Sequence, residues 1–522
     1  MSKSTNLTVA AVGVIGVLAA MPAHAQSAGA SSDAEIALLK QQLRLMEQKI
    51  DKLQKQSAEN SAAVATTNAK VDAKVVNANA AYPVKGAPVV VAGAVVTMPN
   101  NRPTICTADN QNCISITSRV HFDVGGYDYR PASAAGIQDL NNGVNTRRAR
   151  IGLLGKFAGD WNYALIYDFG GSSDGFGGSA PGGLSGGGTS GIENAYLSYT
   201  GFKPFGGNMA IEGGVMDINY TLDEATSSND TTFMERSSAN VIATGIAAGD
   251  FRTTFGARWW NDDFWIGAYA TGPTTGSNHA FATGTEQVGT TVRAAGQVFQ
   301  GNNYSFHLGG DAEFLFSPAR NNSVVPNTQT LTLSDRPELR IDPTAILTTG
   351  ALANVTGAQV YSVEAAGNYG PLYMQGEYYW YNIERDTSFG TPSNNFDGGY
   401  IQASYTLTGE TRTYNKATAA YNGIVPLNPA SLTTGGWGAW EIAGRYSVID
   451  LNDRLGLING VAGGKQEIYT AGLNWYANRN IRFMLNYLHG TIDKQGAAIG
   501  AASLTNVGGS FDAVAMRTQV AF

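Results

Sequence analysis

The sequence predicts an all-β protein, a 16-stranded antiparallel transmembrane β-barrel preceded by an N-terminal α-helical coiled-coil segment. Three observations carry this. From residue 114 onward, segments of about ten residues alternate apolar with polar or small side chains and are separated by turn residues. The connections between these segments mostly alternate long and short. The composition combines 64 glycines, 10% aromatic and only 14% charged residues, which suits strands, tight turns and aromatic girdles better than a soluble enzyme.

The chain opens on Met1-Ser2-Lys3, an apolar run from Leu7 to Met21, and Ala23-His24-Ala25. A basic start, a short apolar core and an Ala-x-Ala site are the pattern of an export signal over residues 1–25, cut after Ala25. A membrane anchor would need a longer run and a basic flank. No later stretch reaches ~18 consecutive apolar residues, the length of a membrane helix. The nearest, Val89 to Met98, contains Gly93. A membrane-seated mature chain must therefore be a closed barrel, because only helices and barrels satisfy their backbone groups in lipid.

Residues 26–76 read as a periplasmic helix. Ile36, Leu39, Leu43, Met46, Ile50 and Leu53 step by three and four alternately, with Lys, Gln, Arg and Glu between them. That narrow seam favours a coiled coil over one amphipathic helix packed on its own domain. Residues 77–113 read as a linker rich in Ala, Val, Pro and Gly that ends in a cysteine loop. Cys106 and Cys113 are the only cysteines, and export to an oxidising compartment favours a local disulfide. A metal site would want four ligands, and His121 is the only other candidate nearby.

The barrel spans 114–522. Ala149, Ile151, Leu153 and Phe157 share one face and Arg148, Arg150 and Lys156 the other; Phe251, Phe255, Ala257 and Trp259 oppose Arg252, Thr254 and Arg258. Trp161, Tyr163, Leu165, Tyr167 and Phe169 form a further apolar face, and Ile481, Phe483, Leu485 and Tyr487 oppose Arg482 and Asn486. Sixteen such segments can be counted, an even number as a single-chain bacterial barrel requires. Short connections include 158–160, 261–263, 370–371 and 477–479, and long ones 171–190, 217–249, 317–355 and 491–510. Segment 409–435 falls on the short side yet is long, so it is either an insertion or a miscounted hairpin. Val514, Met516, Thr518, Val520 and Phe522 end the chain on the outward parity, opposite Arg517 and Gln519.

Several stretches, taken together, resemble the phosphate-selective porin O and P family over about residues 114–522. They are Arg147-Arg148-Ala149-Arg150-Ile151 with Trp161-Asn162-Tyr163; Ser404-Tyr405-Thr406-Leu407-Thr408-Gly409-Glu410; Gly438-Ala439-Trp440-Glu441-Ile442 with Arg445-Tyr446-Ser447; Gly472-Leu473-Asn474-Trp475-Tyr476; Asn480 to Tyr487; and the last strand. Ser334 to Arg340 resembles members that carry an N-terminal coiled coil. The resemblance implies a trimeric outer-membrane pore with long loops folded into the lumen, and Arg and Lys guiding anions.

If the apolar faces meet lipid, the opposite faces line the pore. That places Arg148, Arg150, Lys156, Arg252, Arg258, Arg293, Arg445, Arg482 and Arg517 inside. Arg forks match phosphate oxygens, and a cationic wall lowers the entry cost of an anion. Loop 217–249, with Glu235 and Arg236, is the best candidate for a constriction, and Arg336 and Arg340 in loop 317–355 can reach the pore mouth. The same parity puts Asp168, Glu212, Asp311, Glu313, Glu364, Glu377 and Glu441 inside, a mixed-charge wall that favours weak selectivity over strict phosphate selection. Gly-rich residues 170–191 lack GxxxxGK[ST] and read as an outer loop.

Catalysis finds little support. His24, His121, His279, His307 and His489 are the only histidines, and neither GxSxG nor HExxH occurs. His307 on the lumen face reads as a hydrogen-bonding filler. The expected function is passive diffusion of small hydrophilic solutes or anions such as phosphate, without cofactor or nucleic-acid partner. The alternative is a structural tether or adhesin with a plugged barrel and cell-wall contact by the coiled coil. Long loops rich in Gly, Ser, Thr and Asn favour the open pore.

Overall fold

A computed structural model describes residues 89–91, 94–170, 191–249, 252–274, 284–321, 329–457, 459–496 and 505–522, together with Arg44 and Gln48. The expected signal segment, all of the expected coiled coil but Arg44 and Gln48, and residues 171–190 of the Gly-rich loop fall outside these residues.

Sixteen antiparallel strands close into a barrel. They are β1 (Cys113–Pro131), β2 (Gly143–Phe157), β3 (Trp161–Asp168), β4 (Gly191–Tyr199), β5 (Asn208–Met216), β6 (Arg252–Trp260), β7 (Phe264–Thr274) and β8 (Val288–Gln300). Then follow β9 (Tyr304–Ser317), β10 (Val355–Tyr369), β11 (Leu372–Arg385), β12 (Asn394–Thr406), β13 (Ala439–Asp453), β14 (Val461–Tyr476), β15 (Ile481–Asp493) and β16 (Gly509–Ala521). Each strand pairs with the next, and β16 returns to β1 with Gly509 opposite Pro131 and Ala521 opposite Arg119. Closure leaves no free edge in the ring, the condition for a sheet in lipid.

The dyad pattern is inverted relative to a soluble protein. On β15, Leu485 and Tyr487 are exposed while Arg482, Met484 and Asn486 are buried. On β2, Ile151 is 53% exposed and its neighbour Arg150 only 6%. Aromatic rings mark both ends of the outward face. Trp440 stacks on Trp475 at 5.6 Å and Trp475 on Phe483 at 5.3 Å near the short turns. Phe314 and Phe316 stack at 6.2 Å at the long-loop end of β9. Aromatic rings at two levels are the signature of two membrane–water interfaces.

Three connections fold inward. Residues 217–251 carry α1 (Leu222–Ala225) and α2 (Ser238–Ala247). The Thr221 and Ser237 side chains cap the two helices by accepting from the backbone N–H groups of Glu224 and Asn240. Ile242 and Ile246 of α2 pack on Tyr379, Tyr381 and Ile449 of the wall. Residues 329–354 enter from the same end. Residues 407–438 enter from the short-turn end as a hairpin in which Tyr414–Asn415 pairs with Ala420–Tyr421. This resolves the long connection on the short side: it is an insertion, and the sixteen strands stand.

The stretch read as a plain linker departs from that reading. Val89–Val91, Ala94–Thr97 and Thr104–Thr107 are short strands paired in succession, and Thr104–Cys106 pairs with Cys113–Ser115 of β1. The reason is geometric. Strand β16 stops opposite Arg119, so the first residues of β1 offer unpaired backbone groups, and the β-branched run upstream fills them. A disulfide joins Cys106 and Cys113 across this pairing.

Candidate functional site

Five of the eight predicted arginines on the wall, Arg252, Arg293, Arg445, Arg482 and Arg517, hold the inward segments in place. Arg517 on β16 takes Asp123 in a bidentate grip at 2.7 Å, and also reaches Glu235 of the inward loop at 2.6 Å and the Met234 carbonyl. Arg482 donates to the carbonyls of Thr231 and Thr232 at 2.7 and 3.1 Å. Arg445 binds the Glu235 carbonyl at 2.8 Å and Glu338 at 2.6 Å. Arg252 donates to the Gly245 carbonyl at 2.8 Å. A guanidinium matches this work because it presents several donors in a fixed fork.

Carboxylates secure the same loops from their amide ends. Glu377 on β11 accepts from Leu222 N–H at 2.7 Å at the start of α1. Glu338 accepts from Ser238 N–H at 2.9 Å at the start of α2. Glu313 on β9 accepts from Ala247 N–H. Charge-assisted bonds to backbone N–H groups are among the stronger hydrogen bonds in proteins.

The hairpin from the short-turn end is held likewise. Arg293 on β8 binds Glu364 at 2.9 Å and donates to the carbonyls of Thr418 and Ala419 at the hairpin tip, at 2.9 and 2.7 Å. Arg412 within the insertion pairs with Glu441 at 2.9 Å and donates to the Asp230 carbonyl at 2.8 Å, joining two insertions from opposite ends. His307 bridges Glu364 at 2.9 Å and the Tyr414 hydroxyl at 2.8 Å, the filler role expected from its parity.

One cavity of about 200 Å³ opens beside the inward loop, against β1 to β4. The wall contributes Arg119, Arg148, Arg150, Ile166, Glu193 and Asn194; the loop contributes Asp217, Asn219, Glu224, Ala225, Ser227, Ser228 and Arg236. Arg150 is neutralised by Asp168 at 2.7 Å and by Glu193. Arg236 is neutralised by Glu224 at 3.2 Å and donates to the carbonyls of Asp223 and Thr226 at 3.1 Å. Arg119 donates to hydroxyls, Ser228 Oγ at 2.5 Å and Ser227 Oγ at 3.1 Å. Arg148 is 3% exposed, and its Nε has no hydrogen-bond partner among the described residues. Two guanidinium groups with no close ion pair among the described residues thus face a cavity that also holds two serine hydroxyls, a set of donors suited to a small anion.

The other predicted residues lie apart from it. Arg258 sits 3.5 Å from Glu212 and over the Trp260 ring. Arg340 pairs with Asp335 at 2.8 Å, and Arg336 donates to the Pro343 carbonyl at 3.3 Å within the same loop. Lys156 is half-buried near the short-turn end of β2. Of the twelve predicted cations the cavity gathers Arg148, Arg150 and Arg236. Arg119 was missed, although it shares inward parity with the buried His121 and Asp123. Arg412 was missed because its segment carries no strand pattern.

Comparison with known proteins bears on the same residues. The family model described as phosphate-selective porin O and P matches residues 114–522. Porin O of Pseudomonas aeruginosa is 25% identical over 407 residues, 75% of this chain and 85% of that one. An uncharacterised protein of Caulobacter vibrioides is 41% identical over 137 residues, so the match spans only 26% of this chain and 25% of that protein. Among solved structures, OmpT, an outer membrane protein of Vibrio cholerae, superposes with a TM-score of 0.45 at 9% identity, over 79% of this chain and 98% of that one.

Proposed function

The chain belongs to the phosphate-selective porin O and P family, and on that premise we propose that it is an outer-membrane porin, a water-filled channel for passive diffusion of small hydrophilic solutes with a weak preference for anions. The long loops then face outwards and the short turns the periplasm. The single observation that carries the anion preference is the pair Arg119 and Arg148, cavity cations with no carboxylate in ion-pair contact among the described residues. The preference is weak because Glu193, Asp217 and Glu224 line the same cavity. Wall charges of both signs screen each other, whereas strong selectivity needs a ring of one sign.

The proposal extends to the export signal cut after Ala25 and to a homotrimer gathered by the N-terminal heptads, both supported by the sequence patterns alone. The tether reading, with a plugged barrel and a coiled coil on the cell wall, is not favoured, since the family is one of porins.

Single-channel recording of the purified protein in a planar bilayer tests this. Openings in steps of three, with a reversal potential displaced modestly towards that of the anion, are expected. A folded protein that produces no openings would overturn the channel.

A further inference from the structure

The periplasmic insertion 407–438 has two ends with opposite chemistry. Its first half is held in the lumen by Arg412, Tyr414 and Tyr421, through Glu441, His307 and Ser305. Its second half carries Val425, Leu427, Leu432 and Trp437, all exposed. Leu432 stands fully exposed at the tip of a turn closed by the Ser431–Gly436 bridge, and Trp437 is 80% exposed. Between Ala417 and Trp440 the sequence has no Asp, Glu, Lys or Arg. An uncharged stretch with several large apolar tips is unusual on a surface that faces only water.

The position of these side chains says what covers them. The Trp475 indole N–H donates to the Trp437 carbonyl at 2.8 Å. Trp475 itself stacks on Trp440 and Phe483 in the aromatic row on the outward face of the barrel. Leu407, at the start of the insertion, donates its N–H to the Trp440 carbonyl at 2.7 Å and is exposed on the same face. The exposed tips therefore continue the lipid-facing band at its periplasmic edge. Trp and Leu without charged neighbours favour the boundary between headgroups and acyl chains, where an amphipathic ring finds both an apolar and a wet side.

We propose that this insertion is a hook over the barrel rim, with its outer arm, Leu427, Leu432 and Trp437, seated in the periplasmic leaflet of the membrane while its inner arm fills the lumen. The proposal rests on the barrel being embedded in lipid. The occupant is the phospholipid surface itself, and a periplasmic protein is the competing outcome.

The chain has no free cysteine among the described residues, and both its cysteines are in the disulfide, so one introduced thiol can be labelled alone. The test uses Leu432→Cys carrying a nitroxide, in the full chain reconstituted into phosphatidylethanolamine–phosphatidylglycerol vesicles. Its accessibility to dissolved oxygen is compared with that to a water-soluble nickel complex. Leu485→Cys on the outward face of β15 serves as the lipid reference and Leu457→Cys in an outer loop as the water reference, since both leucines are exposed. Oxygen access exceeding nickel access at position 432, as at 485, is the expected result. Nickel access at 432 equal to that at 457, with 485 still in lipid, would overturn the hook and leave the arm to a periplasmic protein. Nickel access dominating at 485 as well would overturn the embedded barrel and the hook together.

Discussion

Arg517 on the last strand and Glu235 in the inward loop lie 282 residues apart in sequence and 2.6 Å apart in space. Arg147 grips the other side of the same carboxylate at 2.9 and 3.1 Å. One acidic side chain thus stands against three buried cations, Arg340 being the third at 3.9 Å, and ties the inward loop to the seam where the barrel closes. Since β16 is made last along the chain, the loop cannot be fully secured until the ring is complete.

Glu235→Gln is expected to loosen the inward loop while the barrel persists. Removing one partner of a buried ion pair and leaving the other uncompensated costs about 3–5 kcal/mol. That cost falls on the loop, because the ladders of β1, β2 and β16 do not involve this side chain. Single-channel recording should show larger and noisier conductance, and hydrogen exchange should rise within residues 229–240. Unchanged conductance and exchange would show that Arg482 and Arg445 hold the loop unaided.

Arg148→Ala and Arg150→Ala should behave as opposites although the residues are two apart. Arg148 makes no close ion pair among the described residues, so its removal should shift the reversal potential towards that of the cation and cost less thermal stability than removal of Arg150. Arg150 is the close cation of both Asp168 and Glu193, so its removal takes the guanidinium from two buried carboxylates and should cost about 3–5 kcal/mol. Equal effects of the two variants on selectivity would refute the assignment of free and structural arginines.

Cutting the periplasmic hairpin should widen the pore. Replacing residues 413–423 by a short Gly-Ser turn removes the inner arm that Arg293 and His307 hold. Conductance is expected to rise severalfold. Arg412→Ala alone should give a smaller rise and lower stability, since Glu441 loses its guanidinium contact at 2.9 Å while the neutral Asn474 and Tyr476 donors remain.

The barrel was legible because lipid imposes a strict rule, apolar outwards at every second residue, and Ile151, Leu485 and Val514 obey it. The inward loop was legible by elimination, as the long connection that holds Glu235 and Arg236. The roles of individual arginines were not. Arg482 and Arg148 share the inward parity on their strands, yet one bonds the carbonyls of Thr231 and Thr232 and the other faces the cavity. That difference depends on where a loop several strands away comes to rest, which no local pattern records. The insertion at 407–438 was visible only as an anomaly of length, because its hold on the wall comes from single contacts, such as the Trp265 indole N–H to the Ala417 carbonyl at 3.0 Å.

The ionic-strength dependence of selectivity separates a diffuse cationic field from a discrete binding site. A preference that arises from two guanidinium groups outside close ion pairs, acting across an aqueous cavity, is screened by salt. The screening length falls from about 10 Å at 0.1 M to about 3 Å at 1 M. The chloride-over-potassium permeability ratio should therefore exceed one at 0.1 M and approach one at 1 M. If Arg119, Arg148 and the hydroxyls of Ser227 and Ser228 instead desolvate and bind an anion directly, the ratio survives at 1 M and low phosphate blocks chloride current. The carboxylates of Glu193, Asp217 and Glu224 around the same cavity weigh against that second outcome, because a dianion entering it would lie close to three charges of its own sign. Block by phosphate at 1 M salt would show that the two arginines override those carboxylates at contact distance.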